Sequence, residues 1–168
     1  MCSKMLPSRS ASASGQSSRN DTSSPLGLRR LRPYQKEIAL AVLDSAFGRK
    51  GLTLSVEIAR QGGKNELSAQ LELLLLTLYI NESQNLIKCS PTFQPQAMIS
   101  MMRLKDRLDD AGYAGLWDSE RGYIIRLGWA RAIFLSAEES ANVVGNTAHI
   151  LLEIDESQDI SKDKYTKD

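Results

Sequence analysis

Two short polar constellations stand beside apolar runs and offer chemistry. The first is Arg60-Gln61-Gly62-Gly63-Lys64-Asn65, between an alternating run over 52–58 and a helical run over 65–80. Paired glycines remove the Cβ atoms that would keep an anion away from backbone N–H groups, and a helix N-terminus adds a dipole that favours negative charge. A lysine at that terminus can reach the outer phosphates of a nucleotide. The second is Leu151-Leu152-Glu153-Ile154-Asp155-Glu156, an apolar strand ending in two acids. Asp155 is suited to hold Mg²⁺ directly or through water, and Glu156 to polarise an attacking water. In open α/β sheets ligands lie outside the carboxyl ends of the strands, where both constellations put their polar groups.

The elements that must position these residues can be read in outline. Arg32-Pro33-Tyr34 opens a helix, with Pro33 in the first turn where its missing N–H costs nothing. Ile38, Ala41, Val42 and Ser45 share a side, and Gly48 is a stop. Leu52, Leu54, Val56 and Ile58 alternate with polar residues, which predicts a strand feeding the glycine loop. Leu67, Leu71, Leu74, Leu75 and Leu78 give the helix over 65–80 a broad apolar face. Asn85–Ser90 reads as a short strand ended by Pro91, and 94–111 as a helix with Ala97, Met101, Leu104 and Leu108 on one face. The runs 123–127 and Ala130–Ser136 form a hairpin through Gly128-Trp129. The run 148–154 is nearly continuously apolar, which suits a strand buried on both faces of a parallel sheet.

Bulk properties narrow the class. With 168 residues the chain has room for one domain. Lys+Arg 21 against Asp+Glu 20 leaves a net charge of +1, which excludes a global basic field, so any DNA contact must come from a local patch. Residues 1–27 are Ser-rich and read as a flexible tail in which Arg9 and Arg19 are the basic points; 28–168 read as the domain. Cys2 and Cys89 are the two cysteines, and Cys2 lies in that tail, so a reducing, cytoplasmic setting is expected. No apolar stretch follows Lys4 as a signal peptide would require, and the longest apolar run, 73–76, is far too short for a membrane. His149 stands alone, with no Cys/His cluster for zinc. Arg103, Lys105 and Arg107 read as a solvated helix face, and Met98, Met101 and Met102 as core.

The glycine loop is a departure from the Walker A pattern G-x-x-x-x-G-K-[ST]: Ile58 stands at the first glycine and Asn65 at the hydroxyl position. The Asn65 carbonyl oxygen remains a hard ligand for Mg²⁺. Upstream, the Gln35 amide can donate to and accept from the N6/N7 edge of adenine at once, with Tyr34 beside it to pack on the base. The architecture expected is α/β, a three-layer P-loop NTPase fold with a mainly parallel sheet, incomplete at the C-terminus because such a sheet continues beyond its acid-ended strand.

In this order and spacing, LRPYQKEI, ARQGGKNE and FLSAEESANVVGNTAHILLEIDE with the following SQDI resemble the N-terminal ATPase domain of phage terminase large subunits. The resemblance covers 28–161. It implies that Lys64 contacts the β/γ-phosphates, that Gly62 and Gly63 form the cradle and that Arg60 is an arginine finger supplied in cis. Asp155 and Glu156 would take the Walker B roles, Gln35 would read adenine, Asn65 would stand at the metal, and Gln158 is a candidate sensor of nucleotide state. ATP and Mg²⁺ are the implied cofactors. Double-stranded DNA, a portal protein, a small terminase subunit and further copies in a ring are the implied partners. No late cluster of acids appears, so no nuclease activity is expected of this chain. A helicase-like ATPase shares the same residues. A catalytically inactive nucleotide-binding or interaction module, such as a prophage remnant, is suggested by Ile58, Asn65 and the early stop.

Overall fold

A computed structural model describes residues 29–137 and 146–159. The expected tail over 1–27 and most of the approach to the acid-ended strand lie outside the described residues. Three α-helices, α1 (Pro33–Phe47), α2 (Lys64–Leu78) and α3 (Met98–Leu108), accompany five strands. These are β1 (Asn85–Ser90), β2 (Trp117–Glu120), β3 (Ile124–Leu127), β4 (Ala130–Ser136) and β5 (Leu151–Ile154), in the order β2-β3-β4-β1-β5. β1 runs parallel to β4 and to β5, while β2, β3 and β4 form an antiparallel meander. The architecture is mixed α/β with an open sheet, less parallel than expected. The tight turn at Gly128, at φ +60°, forces β3 and β4 to run antiparallel.

Local chemistry sets the helix ends. Pro33 opens α1, the Arg32 N–H donates to the Gln35 side chain at 2.9 Å, and the Gly48 N–H closes the helix on the Asp44 carbonyl. The buried face of α1 carries Gln35 and Ala39, with Ile38 and Val42 half-buried beside them, while Ala41 is exposed. The helix expected over 94–111 has α3 at its centre, behind a wider turn at Phe93–Ala97. Gln94 there is extended, because a residue before proline is disfavoured in the α region.

Alternation of the strands divides the core. Leu86, Ile125, Leu127, Ala132 and Phe134 face Leu73, Leu75 and Leu76 of α2 and Met101, Leu104 and Leu108 of α3. Ile87, Ile124, Ile133 and Leu135 form a cluster on the other face that contains no described helix residue. The described helices therefore cover one side, and the expected third layer is not among the described residues. α2 is buried almost all round, wedged between α1, α3 and the sheet. Among the described residues no helix is long and apolar enough to cross a membrane.

Several sequence expectations need correction. The segment 52–58 forms no strand, and Leu52, Leu54 and Val56 are exposed. Alternation suits a strand, but the ladder must come from a neighbour, and no described strand pairs with this one. Among the described strands β5 lies at the edge, with Leu152 55% and Ile154 39% exposed, where a strand buried on both faces was expected. β2 was not anticipated, since Trp-Asp-Ser-Glu has no apolar alternation. Its ladder to β3 is backed by ion pairs from Arg126 to Asp118 and Glu120. Among side chains, Arg107 is buried against Asp110 at 3.0 Å, contrary to a solvated face, and Met102 is exposed while Met101 is core.

Leu104→Ala should lower the unfolding free energy by about 2–5 kcal/mol, the usual cost of a core cavity. Leu54→Ala should change it by no more than about 0.5 kcal/mol, as at an exposed site. Denaturant titration of both variants distinguishes this core from one in which 52–58 is a packed strand.

Candidate functional site

The N-terminus of α2 and the carboxyl end of β5 meet. Ala59 to Gly62 make a turn closed by the Gly62 N–H on the Ala59 carbonyl at 2.8 Å, with Gln61 at φ +62°. Gly63 follows at φ +82°, a conformation that favours glycine, and a Cβ there would lie 2.7 Å from the Gln35 amide nitrogen. The chain then enters α2 at Lys64 with Asn65, half-buried, in the first turn. The first N–H groups of that helix have no intrahelical partner and point outward.

Lys64 Nζ lies 2.8 Å from Asp155 Oδ1 and 2.6 Å from Glu156 Oε1. Burial alone would lower the Lys64 pKa; hydrogen bonds and charges from the two acids outweigh it and hold the ammonium above its ordinary value. The hydrogen bond from Lys64 and a second from Gln158, with smaller help from the charges of Lys64 and Arg60, hold the Glu156 carboxyl below the usual range against the opposing effect of burial. Glu156 has φ +50°, in the left-handed region, and its N–H is satisfied by Asp155 Oδ1 at 3.0 Å. That backbone outlier turns the second acid back toward Lys64 instead of continuing the strand.

Lys64, Asp155, Glu156 and Gln158 are thus gathered directly, and Arg60 stands close enough for its charge to act on Glu156. Gln35, expected to read adenine, packs at the start of α1 against the glycine loop. It is buried; its oxygen accepts from Arg32, and its amide donates to the Gly63 carbonyl at 3.1 Å and the Gly62 carbonyl at 3.4 Å. Tyr34 donates its hydroxyl to the same Gly62 carbonyl. These two side chains hold the glycine loop by its carbonyls. His149 is exposed and accepts the Asn85 N–H on Nδ1.

Among the described residues no three His, Cys, Asp or Glu side chains gather to hold a metal by themselves. The donors present still fit Mg²⁺, which is commonly bound by one or two carboxylates together with substrate phosphates. A cation, the Lys64 ammonium, already sits against both acids.

A cluster beneath this edge escaped the sequence reading. Lys88, in the middle of β1, is 2% exposed and lies 3.0 Å from Glu72 and 3.1 Å from Glu153. Burial would lower its pKa, but the two carboxylates outweigh that and raise it. Burial pushes Glu72 up, with the Glu153 charge adding to the effect against the opposing pull of Lys88. The signal available was a charged residue inside each of three apolar runs.

A raised folded-state pKa means that the contribution of Lys88 is whole below the unfolded value of about 10.4 and is lost as the pH climbs through the folded value. Stability should therefore fall on the alkaline side, and Lys88→Met should flatten that fall in denaturant titrations taken across it. A scan against protein-family models, a search of curated proteins and a search of solved structures each found no match to this chain.

Proposed function

We propose that this chain binds Mg-ATP where α2 meets β5 and hydrolyses it, as the ATPase portion of a viral DNA-packaging motor of the terminase large-subunit type, on a P-loop NTPase fold. The observation that carries the reading is the contact of Lys64, at a glycine-led helix N-terminus, with Asp155 and Glu156 at a strand end far along the chain. A glycine-led lysine and a pair of strand-end acids are the two halves of a phosphate and metal site.

The residues divide the work. The backbone of Gly63 and Lys64 cradles phosphate oxygens, Gly62 closes the turn ahead of them on Ala59, and Tyr34 and Gln35 hold the loop for that purpose rather than reading the base. Mg²⁺, when bound, neutralises charge between the outer phosphates. Asp155 and the Asn65 amide oxygen are the side chains suited to hold it. Glu156 orients the attacking water, and Arg60 offsets charge that develops on the transferred group. In the free chain the acids hold Lys64 and Lys64 suppresses the basicity of Glu156. Phosphates that take Lys64 release Glu156, so substrate binding itself restores the group needed for the water. Double-stranded DNA, a portal protein, a small terminase subunit and a ring of copies are proposed as partners on the resemblance alone.

A second reading, a nucleotide-binding module without turnover, is favoured by Asn65 at the hydroxyl position and by the absence, among the described residues, of a ladder-paired strand ahead of the loop. Turnover decides between them. Steady ATP hydrolysis that falls by about 10²-fold or more in Glu156→Gln, with ATP binding retained, is the expected result. Binding with no hydrolysis by the wild-type chain would favour the module.

A further inference from the structure

Lys64, Ser68 and Glu72 stand at i, i+4 and i+8 on α2, one above another on a single face. Glu153 and Asp155 stand two apart at the end of β5, on one side of the sheet. Lys88 is the register partner of Glu153 on the neighbouring strand. The two rows meet rung by rung. Lys64 contacts Asp155 at 2.8 Å. One turn lower, Ser68 Oγ lies 2.7 Å and 2.8 Å from the two oxygens of Glu153. Lys88 Nζ closes the lowest rung, donating to Ser68 Oγ and to Glu72, with Glu153 at 3.1 Å. A hydroxyl has one proton, so Ser68 accepts from Lys88 and donates to Glu153, the nearer of its two carboxylate neighbours, with Glu72 Oε1 at 3.0 Å.

This arrangement is hard to explain as a stabiliser. Glu72 is fully buried with Oε2 lacking a hydrogen-bond partner among the described residues, and one ammonium faces two carboxylates. Apolar side chains of similar volume commonly serve stability as well or better. What they cannot supply is direction. β5 has a single ladder neighbour among the described strands; Leu151 at its start packs on the core that includes Leu73, Leu75 and Leu76 of α2, while Leu152 and Ile154 toward the Asp155 end are exposed. At that end its depth against α2 is therefore set by polar contacts.

We propose that Lys88 is a positioning residue for the nucleotide site: through Ser68 and Glu153 it clamps β5 against α2 and fixes how far Asp155 stands from the Lys64 end of the helix. This rests on the proposed Mg-ATP reading of that edge. Asp155 displaced by a fraction of a contact distance would still leave the glycine loop and Lys64 able to take phosphates, but would weaken the metal.

The test is calorimetric titration of the full chain with ATP, in EDTA and across a Mg²⁺ series. The variant Lys88→Met with Glu72→Gln removes the fully buried pair together and leaves Glu153, at 24% exposure, to Ser68 and solvent. It should raise the Mg²⁺ concentration needed for half-maximal enhancement about ten-fold, as loss of an outer-shell partner does, and leave affinity in EDTA unchanged. Glu72→Gln alone, which keeps Lys88 on Ser68 and Glu153, should leave the Mg²⁺ dependence in place. Ser68→Ala strands no charge and should shift it in the same direction as the double variant. It decides the matter if the double variant does not fold. Wild-type Mg²⁺ dependence in Ser68→Ala, or in a folded double variant, would overturn the role and leave the ATP site standing. A wild-type chain that binds no ATP at all would remove the functional reading and this role together.

Discussion

The fold turns on bringing the positive start of α2 against the negative end of β5. The helix dipole, the Lys64 ammonium and the carboxylates of Asp155 and Glu156 are collected within hydrogen-bond distance. Each half is unfavourable alone. A helix N-terminus with a half-buried lysine repels itself, and a strand end with two adjacent acids does the same. Together they offset one another, and on the proposed Mg-ATP reading their charges are held for a ligand bearing both signs, a metal and a phosphate chain.

The surrounding structure serves that meeting at different strengths. Surface pairs such as Lys50 with Asp44 are worth little, because solvent screens them and side-chain entropy opposes them. The apolar contacts of Leu75, Leu76, Leu104 and Phe134 bind α2 and α3 to the sheet and account for most of the stability. They are non-directional, and the finer placement of β5 falls to Lys88, Ser68 and Glu153. On the other side of the loop, Gln35 and Tyr34 of α1 hold Gly62 and Gly63 by their carbonyls. The glycine loop is thus fixed from one flank by amide and hydroxyl donors and from the other by the acids.

What the sequence made legible was contiguous. The glycine loop, the acid-ended strand, β1 and the β3–β4 hairpin each carry their signal in a few neighbouring residues and fall where expected along the chain, although the acid-ended strand is shorter and more exposed than its apolar run suggests. What it hid depends on neighbours distant in the chain. The run 52–58 has the pattern of a strand but no described ladder partner. β2 is polar and exists through its pairing with β3. The Gln35 amide is engaged by the loop because the fold packs the start of α1 against it. Lys88, Ser68, Glu72 and Glu153 come from three elements, and no spacing rule links them. Residues contrary to their own apolar runs were the one available clue.

Calorimetric titration of the full chain with Mg-ATP, beside a folded Lys64→Ala variant, addresses the central claim most directly. Saturable binding of one nucleotide per chain, weakened at least about ten-fold by loss of the lysine, is the predicted result, since removing one charged partner costs more than about 1.4 kcal/mol. A folded wild-type chain that binds no nucleotide, or binds it equally well without Lys64, would contradict the claim that α2 and β5 meet to form a phosphate site.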